Sequence, residues 1–133
     1  MTILVTISFL FAFHWVADFI CQTDWMATNK SKNWGALTLH VFTYSVVMMV
    51  LSGGYLTIAN TIHPQLIIGF IVAFGIVTFI THFITDAITS RITSYLWMKG
   101  DRHNFFVIIG LDQLIHALTL IWSWYIIQSF IGI

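Results

Sequence analysis

"LIIGFIVAFGIVTFITHFITDAITSR", residues 66–91, decides the fold. Residues 66–81 carry no ionisable side chain, and the sequence stays largely apolar past His82 and Asp86 as far as Arg91. A helix needs about 20 mostly apolar residues to cross a bilayer. The stretch therefore predicts a transmembrane helix over about Leu66–Leu96, long enough to project beyond the hydrocarbon. Three further segments have the same character, about Ile3–Gln22, Trp34–Leu56 and Asn104–Ile131. The expected fold is all-α, an integral membrane four-helix bundle in a single domain over residues 1–133.

Composition points the same way. The chain is 59% hydrophobic and only 8% charged, with a mean hydropathy of +0.91. Soluble domains average about 25% charged residues, so this chain is short of the groups needed to cover a wetted surface. The net charge of zero provides no basic field for nucleic acid. The single cysteine, Cys21, excludes an internal disulfide and a cysteine-based zinc site. The opening "MTILVTISFLFAF" has no basic n-region, and no small-residue cleavage site follows it. It reads as the first transmembrane helix rather than a secretory signal.

The connections are polar. "TDWMATNKSKN" (23–33) reads as a short loop or an interfacial helix, and "SGGY" (52–55) with "NTIHP" (60–64) reads as a turn region. In "WMKGDRHN" (97–104), Gly100 suits a helix C-terminus and Asn104 an N-cap. All five basic residues flank the first and third connections: Lys30, Lys32, Arg91, Lys99 and Arg102. The positive-inside rule then puts those connections in the cytoplasm and both termini outside, for a multi-pass protein of the bacterial inner membrane. Trp15, Trp25, Trp34 and Trp97 fit an aromatic belt on that side, with Trp122 and Trp124 on the other.

Three of the five acidic residues fall within the expected spans, each four positions from a histidine: "HWVAD" (14–18), "HFITD" (82–86) and "DQLIH" (112–116). Four positions apart on a helix means one face. The order is reversed in the fourth helix, which runs the other way, so all three pairs point in the same sense in space. Each Asp lies nearer the cytoplasm and each His about 6 Å deeper, at 1.5 Å per residue. His40 in the second span falls at a similar depth. Charged side chains facing lipid are costly, about 2.5–3.5 kcal/mol each on insertion scales. These groups should therefore face the bundle interior and pair there.

Imidazole and carboxylate around a shared cavity suit a divalent metal, zinc above all, as one or two ions. The candidate ligands are His14, Asp18, His40, His82, Asp86, Asp112 and His116, with the deeper histidines binding from below. Asp18, Asp86 and Asp112 are the candidates for catalytic proton transfer. Gln22, Lys30, Arg91 and Gln113 are candidate substrate contacts, although Lys30 and Arg91 also suit ordinary positive-inside anchoring. The threonines at 78, 81, 85 and 89 are expected to bond their own backbone. Cys21 reads as a packing residue.

"HWVADFICQTDWMATNKSKN", "LHVF", "HFITDAITSR" and "LDQLIHAL" together resemble a family of small bacterial and phage membrane proteins, domain of unknown function 3307. The resemblance covers nearly the whole chain. More distantly, the His/Asp pattern is similar to membrane-bound proteins labelled metal-dependent hydrolases. That likeness implies the same seven positions as its site. The chain contains no Glu, so an Asp would have to replace the usual zinc-protease base.

The leading expectation is a membrane-embedded metal-dependent hydrolase. Its substrate would be an amphiphile or a small ester, phosphate or amide. The competing readings are a transporter of protons, metal or a small solute through the same cluster, and a phage or bacterial membrane interaction protein with a structural polar cluster. The expected surroundings are the lipid bilayer and, in addition, a homo-oligomeric partner. The outer halves of the spans hold no ionisable side chain, which disfavours a charged path through the bundle.

Overall fold

A computed structural model describes residues 3–59 and 63–132. The elements are α1 (Ile3–Trp15), a π-helical segment (Val16–Ile20), α2 (Asp24–Asn29), α3 (Trp34–Ala59), α4 (Pro64–Met98) and α5 (Arg102–Ile131). Four helical stretches, Ile3–Ile20 and the three long helices, are long and apolar enough to cross a membrane. Residues 60–62 of the expected "NTIHP" turn lie outside the described residues.

The helix ends follow local chemistry. Pro64 opens α4, where its missing N–H costs nothing. The 35 residues of α4 span about 52 Å at 1.5 Å each, well beyond a hydrocarbon core of about 30 Å. Gly100 has φ of +76°, as a tight turn after α4 requires. The N-cap of α5 is Asp101 rather than Asn104. Its carboxylate accepts from Asn104 N at 3.2 Å and from Asn104 Nδ2 at 2.7 Å, and an ionised side chain is the stronger cap. Asn33 caps α3 by accepting from the backbone N–H groups of Gly35 and Ala36.

The first span is not one continuous α-helix to Gln22. It widens into a π turn at Val16–Ile20, closed by Cys21 N donating to Val16 O at 3.0 Å, and it ends there. The polar connection beyond it contains a short helix. Thr23 caps α2 by accepting from Met26 N at 3.3 Å, and the Met26 side chain is buried.

α4 is the central element, with α3 along one side and α5 along the other. α1 packs on α3 and more sparingly on α5, while α2 lies on α3. On α4 the exposed stripe is Ile68, Val72, Ile76, Ile80, Ile84 and Ile88. The opposite face buries Phe70, Phe74, Thr78, His82 and Asp86. An apolar outside around a partly polar inside suits hydrocarbon as the surrounding medium.

The half remote from the basic connections is packed with Leu10, Phe70, Phe74, Leu120 and Trp124. The Trp124 ring lies 4.7 Å from Phe70 and 5.5 Å from Phe74, centroid to centroid. Trp124 is therefore core, not part of an interfacial belt. Its edge-on contacts with two phenylalanines hold it inside the bundle, whereas Trp122 stays exposed.

Candidate metal centre

The π turn, α3, α4 and α5 each send side chains to one place near the basic end of the bundle. Asp18, His40, His82, Asp86 and His116 are all buried there. His40 Nε2 lies 3.2 Å from Asp18 Oδ1, 3.2 Å from Asp86 Oδ2 and 3.2 Å from His82 Nε2. His82 Nε2 lies 3.5 Å from Asp18 Oδ1 and 3.7 Å from Asp86 Oδ2. His116 Nε2 is 3.7 Å from Asp86 Oδ1, on the far side of that carboxylate.

The donor set fits a metal ion. Asp18, His40 and His82 form one buried group of possible ligands, and His82, Asp86 and His116 form another that shares His82. A tetrahedral ion with bonds of about 2.0–2.2 Å holds its donors about 3.3–3.6 Å apart. The 3.2–3.5 Å separations of Asp18 Oδ1, His40 Nε2 and His82 Nε2 match that spacing. Asp18 Oδ1 and His116 Nε2 are buried without an aligned hydrogen bond among the described residues, as lone pairs reserved for a cation would be.

The surrounding side chains set orientation. His82 stacks on Tyr44 at 3.9 Å and lies 4.2 Å from the His116 ring, so packing fixes its plane. Asp112 Oδ1 accepts from Thr89 Oγ1, and Oδ2 accepts from Gln113 Nε2 at 3.0 Å while facing His116 Nδ1 at 3.4 Å. The hydroxyls of Thr78, Thr81 and Thr85 bond carbonyls one turn back, as expected; Thr89 also reaches Asp112.

His14 stands apart. Its Nε2 meets Gln113 Oε1 at 3.1 Å and its Nδ1 meets Tyr44 Oη at 3.0 Å. With the amide oxygen as acceptor, Nε2 carries the proton and Nδ1 accepts from the tyrosine, so both ring nitrogens are engaged. His14 is beside the cluster but outside both groups of possible ligands.

Lys30 is the side chain that the sequence weighs too lightly. α2 ends beside it, and its ammonium enters the cluster, 2.7 Å from Asp86 Oδ2 and 3.3 Å from His40 Nε2. Burial lowers its pKa, but the neighbouring Asp86 and Asp18 raise it further, so the group stays charged. Tyr44 is the other omission. A signal for it was present, since it lies four residues after His40 on the same helix face.

A cavity of about 530 Å³ adjoins the cluster on the side of the basic connections. Asp18, Asp86, Asp112, Gln113, Gln22 and Lys30 line it, whereas no histidine does. The carboxylates thus form the layer next to the opening and the imidazoles the layer beneath. Arg91 does not reach the cavity. Its guanidinium lies 4.1 Å over the Trp34 ring and donates to Ala87 O.

Fold and site together define a small all-α protein with four membrane-length helices and a buried His/Asp cluster able to hold a metal ion. The chain belongs to the family described as Protein of unknown function (DUF3307), which matches residues 5–131. No curated protein and no solved structure matches the chain.

Proposed function

We propose that this is a membrane-embedded, metal-dependent hydrolase whose site opens toward the cytoplasm. The observation that carries the reading is the trio Asp18 Oδ1, His40 Nε2 and His82 Nε2 at tetrahedral spacing, next to a cavity large enough for a small substrate. Asp86 supplies a further donor from the same side. Zinc is the ion that this mixed nitrogen and oxygen set suits best. Bound there, the ion would polarise a scissile bond and lower the pKa of water to about 7.

The chain's own residues divide the remaining work. Asp18 and Asp86 occupy donor positions, which leaves Asp112 as the proton acceptor. It lines the cavity, and Thr89 and Gln113 fix its orientation. Gln113 also ties His14 and Asp18 to this network. Lys30 and Gln22 border the space in which substrate would lie. The aromatic packing of Phe70, Phe74 and Trp124 beyond the histidine layer favours a blind-ended site over a conducting path.

Asp112→Asn keeps the shape and removes the basicity. It should leave metal content unchanged and lower turnover by about 10²–10⁴-fold, the range for loss of a general base. Asp18→Asn should instead weaken metal binding and turnover together. Full metal and full activity in Asp18→Asn, Asp86→Asn and Asp112→Asn alike would make the carboxylates structural.

The orientation is tested separately. In a background lacking Cys21, an impermeant thiol reagent applied to whole cells should label Asn60→Cys and spare Ser31→Cys. The opposite pattern would invert the topology.

A further inference from the structure

The cavity extends into the gap between the end of the first span and α5. α5 packs along α4 and only sparingly on α1. Phe19 and Gln22 line one wall of this gap, and Phe105 and Ile109 of α5 line the other. Gln113 bridges the gap only at its floor, through Asp18 and His14. Phe19 is 46% and Ile109 36% exposed, and both lie within membrane-length helices. A water-soluble substrate needs only the axial mouth. A lateral mouth edged by Phe and Ile serves a molecule whose chain stays in the bilayer.

The polar wall specifies the other end of that molecule. Lys30, Lys32, Ser31 and Ser90 line the cavity, with Asp18, Asp86 and Asp112 where it adjoins the cluster. The Ser90 hydroxyl is buried without a hydrogen-bond partner among the described residues. Ammonium and hydroxyl donors together match an acceptor-only, anionic group. We propose that the cavity takes an amphiphile with a net-anionic phosphomonoester headgroup from the bilayer, its headgroup between Lys30, Lys32 and Ser90 and its chain leaving between Phe19 and Ile109. This names the substrate class of the hydrolase reading and rests on that reading only for turnover.

The test uses the whole chain in phosphatidylcholine vesicles. These contain a trace of phosphatidic acid with a photoactivatable diazirine in its acyl chain, or phosphatidylcholine bearing the same group. The phosphatidic acid probe should label the segments around Phe19 and Ile109 preferentially. Lys32→Gln, an exposed change, should reduce that labelling about fivefold, the effect of one basic group on an anionic lipid, while Lys99→Gln leaves it unchanged. Ile109→Trp should close the gap and abolish the preference with metal content intact.

Labelling spread evenly around the helices, equal labelling by both probes, or displacement of the lipid by inorganic phosphate alone would overturn the proposal. Metal-dependent turnover of a soluble phosphoester without lipid labelling would also overturn it and leave the hydrolase standing. Labelling at the gap with no turnover would support it and remove the hydrolase.

Discussion

His82→Ala is expected to strip the protein of its metal, while His14→Ala leaves it loaded. His82 belongs to both groups of possible ligands, and its Nε2 sits within 3.7 Å of His40, Asp18 and Asp86 donor atoms. Loss of a residue that orients a ligand typically costs 10–100-fold in metal affinity, so loss of this shared ligand should cost more than about 100-fold. His14 has no lone pair to offer while Tyr44 and Gln113 hold its two nitrogens. This separates two residues that the sequence places on equal terms. The measurement is elemental analysis after gentle, chelator-free purification of the wild type and both variants. Equal loss in the two variants would restore His14 as a ligand. A wild type holding less than one metal per several chains would end the metal reading.

The second large effect concerns Lys30. Its ammonium and a bound metal would compete for Asp86 and His40, because both are cations seeking the same lone pairs. Without metal, Lys30→Met leaves the Asp86 carboxylate, only 3% exposed, without its ion partner. Breaking a buried pair from one side costs about 3–5 kcal/mol, and the low end applies because the lysine side chain is itself 20% exposed. The expected result is a clear fall in unfolding temperature for metal-free Lys30→Met, largely restored by adding metal. The double variant Lys30→Met with Asp86→Asn should recover most of the loss without metal, because the Asp86 charge that Lys30→Met leaves unpaired is gone. A metal-free Lys30→Met as stable as the wild type would show that the ion pair carries no weight.

Much of the fold was legible because long apolar helices obey a local rule. Length and apolarity alone identified four helices, and the run from Leu66 onward needed nothing from the rest of the chain. Position along each helix was legible for the same reason. A fixed rise per residue sets how far His40, His82 or His116 stands from its helix end, and the four-residue step sets which Asp shares its face.

Direction around the bundle axis was not legible. It depends on how each helix is rotated against its neighbours, which the repeat within one helix does not encode. Hence His14 and His40 looked equivalent, yet of the two only His40 points a ring nitrogen at the other donors. The π turn that carries Asp18 into reach of His40 and His82 has no Pro or Gly to announce it. Trp124 looked interfacial because an isolated helix cannot reveal that two phenylalanines of another helix will enclose it.

Lys30 shows the limit most directly. By position it is a loop lysine between two long apolar helices. The short α2 turns it inward, and a flexible four-carbon stem carries its charge to Asp86 and His40. The sequence by itself determined the helices, the position of each polar residue along them and the chemical types available at one level, because these follow from periodicity and composition. Only the tertiary structure decided which lone pairs meet, because that depends on helix rotation and on the path of a short connecting helix.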